Sequence, residues 1–127
     1  MSESATPDTP ATPEATCLFC RIASGAIPSD RIYEDERVIA FRDINPGAPI
    51  HALIIPRAHI RDIAAPEASD GDLLRALVRA ANTVAQQEGL AERGYRLVWN
   101  VGPDAGQSVF HLHLHLLGGR PMSWPPG

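Results

Sequence analysis

The chain has 127 residues, 44% of them hydrophobic, which suits one globular domain around a single core. Its eleven basic residues are all arginines and are outnumbered by 15 acidic ones. The resulting net charge of -4 excludes a general nucleic-acid-binding surface, which needs basic excess to displace counterions from phosphate. No apolar run approaches the roughly 20 residues of a membrane span. The opening MSESATPDTPATPEAT lacks the basic and apolar regions of a secretory signal, so no membrane partner and a cytoplasmic location are expected.

Residues 1–16 combine Ser, Thr, Pro, Ala and acidic side chains that cannot bury enough apolar surface to offset ordering entropy. A disordered N-terminal tail is expected there, with the folded domain over 17–127. CLFCRIASGAI, from Cys17, predicts a short helix stopped at Gly25. RIYED and RVIAFRD alternate apolar and polar residues around a tight Asp-Glu-Arg connection, the pattern of a hairpin, and NPGAP is a turn cluster before the strand IHALIIP. Leu73, Leu74, Leu77, Val78, Ala81 and Val84 recur at three and four residues and predict the one long helix, over about Ser69 to Gly89, with Ser69 and Asp72 as a capping box. YRLVWN and HLHLHLL are two further strands joined by the loop VGPDAGQS. Strands outnumber helices and hairpin-like joins dominate, so the expected class is α+β, an antiparallel sheet with helical cover.

The stretch VFHLHLHLLGG sets His111, His113 and His115 at every second position. In an extended strand these imidazoles share one face and Leu112, Leu114 and Leu116 the other, so one face is available for chemistry and the other for a core. Imidazole serves as nucleophile, general acid or metal ligand near neutrality. A single metal held by all three is strained, because alternate residues of a flat strand lie about 6.6 to 6.8 Å apart; polar decoration of a wet sheet face is the plainer alternative. In the preceding loop Gly102 and Gly106 permit close approach of backbone to a ligand, and Gln107 and Ser108 add uncharged donors suited to phosphate, or the glycines serve an ordinary hairpin connection. Cys17 and Cys20 form a Cys-x-x-Cys pair. It reads as a metal site, with His59 and His111 as further ligands, as a redox pair, or as two buried thiols.

The His-x-His-x-His row with apolar spacers resembles the signature of the histidine triad superfamily of nucleotide hydrolases and transferases. IPSDRIYEDERVIAFRDINPGAPIHALIIPRAHI, GYRLVWNVG and GQSVFHLHLHLLGGRPMSWPPG extend the resemblance to the Hint branch, the purine nucleoside phosphoramidases, over nearly all of 17–127. The resemblance implies a five-stranded antiparallel sheet with two helices, paired in a homodimer as a continuous ten-stranded sheet. It implies cleavage of purine nucleoside 5'-phosphoramidates or acyl-nucleotides through a nucleotidyl-histidine, with purine nucleotides such as AMP and GMP as ligands. It makes His113 the nucleophile, His115 a phosphate contact, Ser108 a neighbour of the leaving group and His51 an orienting residue. Nucleotide contacts fall to Phe19, Asp43, Ile44, Asn100, Gly106, Gln107 and Ser108, with Asp43 on the ribose hydroxyls. Structural zinc on Cys17, Cys20, His59 and His111 is implied, with no catalytic cofactor. Hydrolysis of dinucleoside polyphosphates, as in the Fhit branch, and a non-catalytic nucleotide-binding scaffold are the competing functions; the closing SWPPG favours the Hint branch.

Overall fold

The structure, a computed structural model, describes residues 13–127. Of the tail expected over 1–16, residues 1–12 lie outside them, and Pro13–Thr16 form a helical turn, α1. Helix α2, Leu18–Ser24, starts and stops where its sequence indicates: Cys17 caps it, its sulfur accepting from the Cys20 amide, and Gly25 ends it in the left-handed region at φ 87°. Strands β1 (Arg31–Glu34) and β2 (Val38–Arg42) form the expected hairpin, in which the Asp35 carboxylate accepts from the amides of Arg37 and Val38. β3 is Ile50–Pro56, β4 is Tyr95–Trp99 and β5 is Leu114–Gly118.

All neighbouring strands are antiparallel, in the order β1-β2-β3-β5-β4, so the sheet is the five-stranded α+β arrangement expected. The long helix α3, Gly71–Gln87, follows a 3-10 turn at Pro66–Ser69. Its cap is Asp70 and not Ser69. Ser69 is taken up by the turn that Pro66 initiates, while the Asp70 carboxylate accepts from the amides of Asp72 and Leu73 and pairs with Arg37 at 2.9 Å.

Strand alternation sorts the core into two layers. Val38, Ala40, Ala52, Ile54, Leu114 and Leu116 face α3 and join Leu73, Leu77, Ala81 and Val84 in the larger cluster. Ile39, Phe41, Leu53 and Ile55 pack with Phe19 and Ile22 of α2 in the smaller one. β3 is therefore buried on both faces. β5 is shorter than the histidine row predicts. The β3–β5 ladder ends at Ile54 opposite Leu114, and two steps further Leu112 would meet Pro56, which has no amide hydrogen to donate. His111 and His113 therefore precede the assigned strand, and the Leu112 amide donates to the Ile60 carbonyl instead.

Candidate active site

Register brings the odd-numbered residues of three strands to the α2 side of the sheet. Asp43, just past β2, is held by the ladder: its amide donates to the His51 carbonyl, continuing the β2–β3 pairing by one step. On the other side of β3, Leu53 is paired with His115 and His51 with Leu117, so His51 and His115 are diagonal neighbours on one face. His51 Nε2 lies 2.9 Å from His115 Nδ1 and 3.5 Å from Asp43 Oδ2.

The hydrogen-bond network assigns the ring protons. The Gly47 amide donates to His51 Nδ1 at 2.9 Å, so that nitrogen is unprotonated and the neutral ring carries its proton on Nε2. His51 Nε2–H then donates to His115 Nδ1, which leaves neutral His115 with its proton on Nε2. His113 has a different constraint: its Nδ1–H donates to the His111 carbonyl at 2.7 Å, and its Nε2 keeps the lone pair. His111 Nε2–H donates to the Pro56 carbonyl at 2.9 Å, leaving Nδ1 unprotonated. The three imidazoles of the row thus carry distinct chemical assignments. Burial pushes the His115 pKa down to about 4, aided by the nearby His113 and His51 rings and opposed by Asp43. Burial also lowers the pKa of His51, against the pull of the Asp43 carboxylate. Both rings are neutral at pH 7.

A cleft of about 430 Å³ lies between α2 and this face of the sheet. Of the residues expected at a nucleotide site, Phe19, Asp43, Ile44, Ser108, His113 and His115 line it. Phe19 stands edge-on to the His113 ring, with centroids 5.1 Å apart, and also to Phe41 at 5.6 Å. Ile44 is 91% exposed at the mouth, so it is available to a ligand and adds nothing to the core. Asp43 uses Oδ1 to accept from the Asn45 amide at 2.8 Å, which fixes the carboxylate at the start of the turn.

Asn100, Gly106 and Gln107 do not line the cleft. Gln107 is turned inward: its Oε1 accepts from the Gly102 amide, and its Nε2 donates to the carbonyls of Arg61 and Val109. The Gly106 and Gln107 amides donate to Pro103 and Gly102 within the loop. Gln107 braces the loop, and Ser108 is the loop residue presented to the cleft. Residues the sequence reading missed include Phe41, Ser29 and Asp30 in the cleft wall, and the Gly47 amide and Pro56 carbonyl that fix two tautomers. The NPG turn signal marks Gly47; no local signal marks a carbonyl that meets a ring 55 residues away.

The two cysteines meet two histidines. Cys17 Sγ and Cys20 Sγ each lie 3.3 Å from His111 Nδ1, and Cys20 Sγ lies 3.3 Å from His59 Nδ1. All four ligand atoms fall within 4.8 Å of one another. Tetrahedral zinc, with bonds of about 2.3 Å to sulfur and about 2.0 Å to nitrogen, sets sulfur–nitrogen edges of about 3.5 Å. The donor set therefore fits that ion, and the Pro56 carbonyl holds His111 in the tautomer that offers Nδ1. Asp43, His51 and His115 also cluster, but there the Gly47 amide occupies His51 Nδ1 and the ring's one proton sits between the histidines. That second group is a hydrogen-bonded relay. His111 is fully buried, which excludes decoration of a wet face.

A cleft walled by tautomer-fixed histidines, His113 buried and His115 half-buried, beside a Cys/His metal-type cluster that includes the buried His111 is the arrangement of the histidine triad class. The HIT domain family model matches residues 24–122, and the chain belongs to this family. It is 51% identical over 116 residues to the 14 kDa zinc-binding protein of Zea mays, covering 90% of each chain. It is 48% identical over 120 residues to the adenylylsulfatase HINT1 of Arabidopsis thaliana, covering 92% of this chain and 81% of the relative. Among solved structures, the HIT family hydrolase of Legionella pneumophila Philadelphia 1 matches with a TM-score of 0.85 and 54% identity, over 88% of this chain and 100% of that one. Among the described residues no helix is long and apolar enough to cross a membrane.

Proposed function

We propose that this protein hydrolyses the P–N bond of purine nucleoside 5'-phosphoramidates, and the corresponding acyl-nucleotides, through a covalent nucleotidyl-His113. The observation that carries the reading is the 2.7 Å bond from His113 Nδ1–H to the His111 carbonyl, which leaves Nε2 as the ring's nucleophilic nitrogen in a wall of the cleft. That lone pair attacks the α-phosphorus, the P–N bond breaks, and the amine departs with a proton drawn from solvent on the Ser108 side. The carbonyl on Nδ1–H stabilises the positive ring formed on attack. His115, neutral with its proton on Nε2, donates to a non-bridging oxygen, and the Ser108 hydroxyl serves the leaving-group side. Water then attacks the phosphorus, releasing the nucleoside monophosphate and free His113.

Phe19 and Ile44 give the base apolar contacts, and Asp43 accepts from the ribose hydroxyls. Cys17, Cys20, His59 and His111 hold zinc, which would supply a closed, four-ligand structural link between α2 and the histidine segment. Among the described residues β4 has a neighbour on one side only, so a second copy adding its own β4 there extends the sheet to ten strands. The name of the Arabidopsis relative favours a second leaving group, sulfate, displaced from the same phosphorus.

Steady-state turnover of adenosine 5'-phosphoramidate, adenylyl sulfate and diadenosine polyphosphate, measured side by side, tests the reading. Preference for the phosphoramidate, with loss of turnover but retention of AMP binding in His113→Ala, is the expected result. Preference for the polyphosphate moves the protein to the Fhit type of reaction. Binding without turnover of any of the three makes it a scaffold and ends the proposal.

A further inference from the structure

We propose that Arg120, outside the cleft, is a positioning residue for the reaction: through the carbonyl of Gly47 it holds the amide that fixes the tautomers of His51 and His115. Its guanidinium donates from Nη2 to the Gly47 carbonyl at 2.9 Å and from Nη1 to the Pro121 carbonyl at 3.1 Å. The Gly47 amide in turn donates to His51 Nδ1 at 2.9 Å, and His51 Nε2 meets His115 Nδ1 at 2.9 Å. A continuous path thus runs from an exposed arginine to the phosphate-facing imidazole, which lines the cleft while Arg120 does not.

The β2–β3 connection, residues 43–49, is largely exposed, and connections of this kind move unless tethered. Two features tether its second half. Gly119 turns with φ +94°, and a Cβ there would lie 2.9 Å from Pro49 Cβ, so the chain leaving β5 packs directly against the connection. That close turn delivers Arg120 to Gly47.

The consequence for chemistry follows from proton placement. With the Gly47 amide in place, His51 must carry its proton on Nε2, and His115 must carry its own on Nε2, a donor for a phosphate oxygen. Without it, His51 can protonate Nδ1 and accept at Nε2; His115 then donates from Nδ1 and turns a lone pair toward the anion. The imidazole remains in the cleft in the wrong tautomer. This inference rests on the proposed role of His115 in hydrolysis, yet the tautomer itself is observable without turnover.

The test compares wild type with Arg120→Ala and Arg120→Lys, using 15N-labelled histidine NMR at pH 7 together with steady-state kinetics on adenosine 5'-phosphoramidate. Wild type is expected to show His115 protonated on Nε2. Arg120→Ala is expected to show both tautomers, with kcat about threefold to tenfold lower, the effect of losing roughly one hydrogen bond, and KM within about twofold. Arg120→Lys, which keeps a donor, is expected to recover most of both. An unchanged His115 spectrum in Arg120→Ala overturns the proposal whatever kcat does. A changed spectrum with unchanged kcat overturns it as well. If wild type turns over no phosphoramidate, the proposed function fails, and the spectra alone decide whether Arg120 holds the relay.

Discussion

Phe19→Ala is the substitution that joins packing to chemistry most closely. The ring is 5% exposed, sits in the smaller core cluster between α2 and the sheet, and meets Phe41, His111 and His113 edge-on at 5.6, 6.0 and 5.1 Å. Truncating a buried phenylalanine costs about 3–5 kcal/mol. For a chain of this size about 4 °C accompanies each kcal/mol, so Tm is expected to fall by about 12–20 °C. The α3 cluster contains no α2 residue, so the packing on that face of the sheet is untouched by the truncation. In the cleft, loss of one aromatic wall removes about 1.5–3 kcal/mol of ligand contact, or roughly tenfold to hundredfold in kcat/KM, carried mainly by KM. Phe19→Leu keeps most of the apolar volume and loses the edge-on contacts, worth about 0.5–1.5 kcal/mol each, so its Tm should fall between the two. Scanning calorimetry and initial rates give both numbers. A Phe19→Ala protein whose Tm lies within a few degrees of wild type, or whose kcat/KM is unchanged, refutes this account of the ring.

Cys20→Ser removes the sulfur that touches both His59 and His111. Zinc measured in the purified protein should drop from about one per chain to well below half. Tm should fall by roughly 10 °C, the equivalent of about 2.7 kcal/mol at a free-metal excess of a hundredfold over Kd. Equal zinc content in mutant and wild type would exclude this ligand set. Stability should also depend on pH through His115, whose pKa is about 4 in the folded chain against an ordinary 6.5. Between those values the unfolded chain binds more protons than the folded one, so the contribution is whole above pH 6.5 and declines as pH falls toward 4. Burial lowers the His51 pKa in the same direction. His115→Asn should flatten the fall in Tm between pH 6.5 and 4; parallel curves for the two proteins would contradict the assignment.

Strand alternation at 111–117 and the 3.6-residue recurrence across α3 made the two halves of the core readable from the sequence, because both depend on local periodicity. What periodicity could not show was where pairing stops. Pro56 ends the ladder beside Leu112, so the first two histidines leave the strand, and the Pro56 carbonyl instead accepts a hydrogen bond from His111 Nε2–H. Gln107 illustrates the same limit: its composition and place suit a phosphate loop, yet its partners Gly102, Arg61 and Val109 turn it into a brace. The Cys17, Cys20, His59 and His111 grouping was legible through resemblance, and the fold brings the four together over 95 residues of chain. The cap of α3 went to Asp70 because Arg37, 33 residues away, also holds that carboxylate.

In the proposed reaction His113 becomes covalently attached to the nucleotide. Mixing the protein with adenosine 5'-phosphoramidate, quenching within milliseconds and mapping peptides by mass spectrometry tests it directly. A transient adenylyl group is expected on the peptide containing His113, localised to that residue and absent from His113→Ala. Turnover at the full rate with no adduct at any quench time, or an adduct on His115, would contradict it.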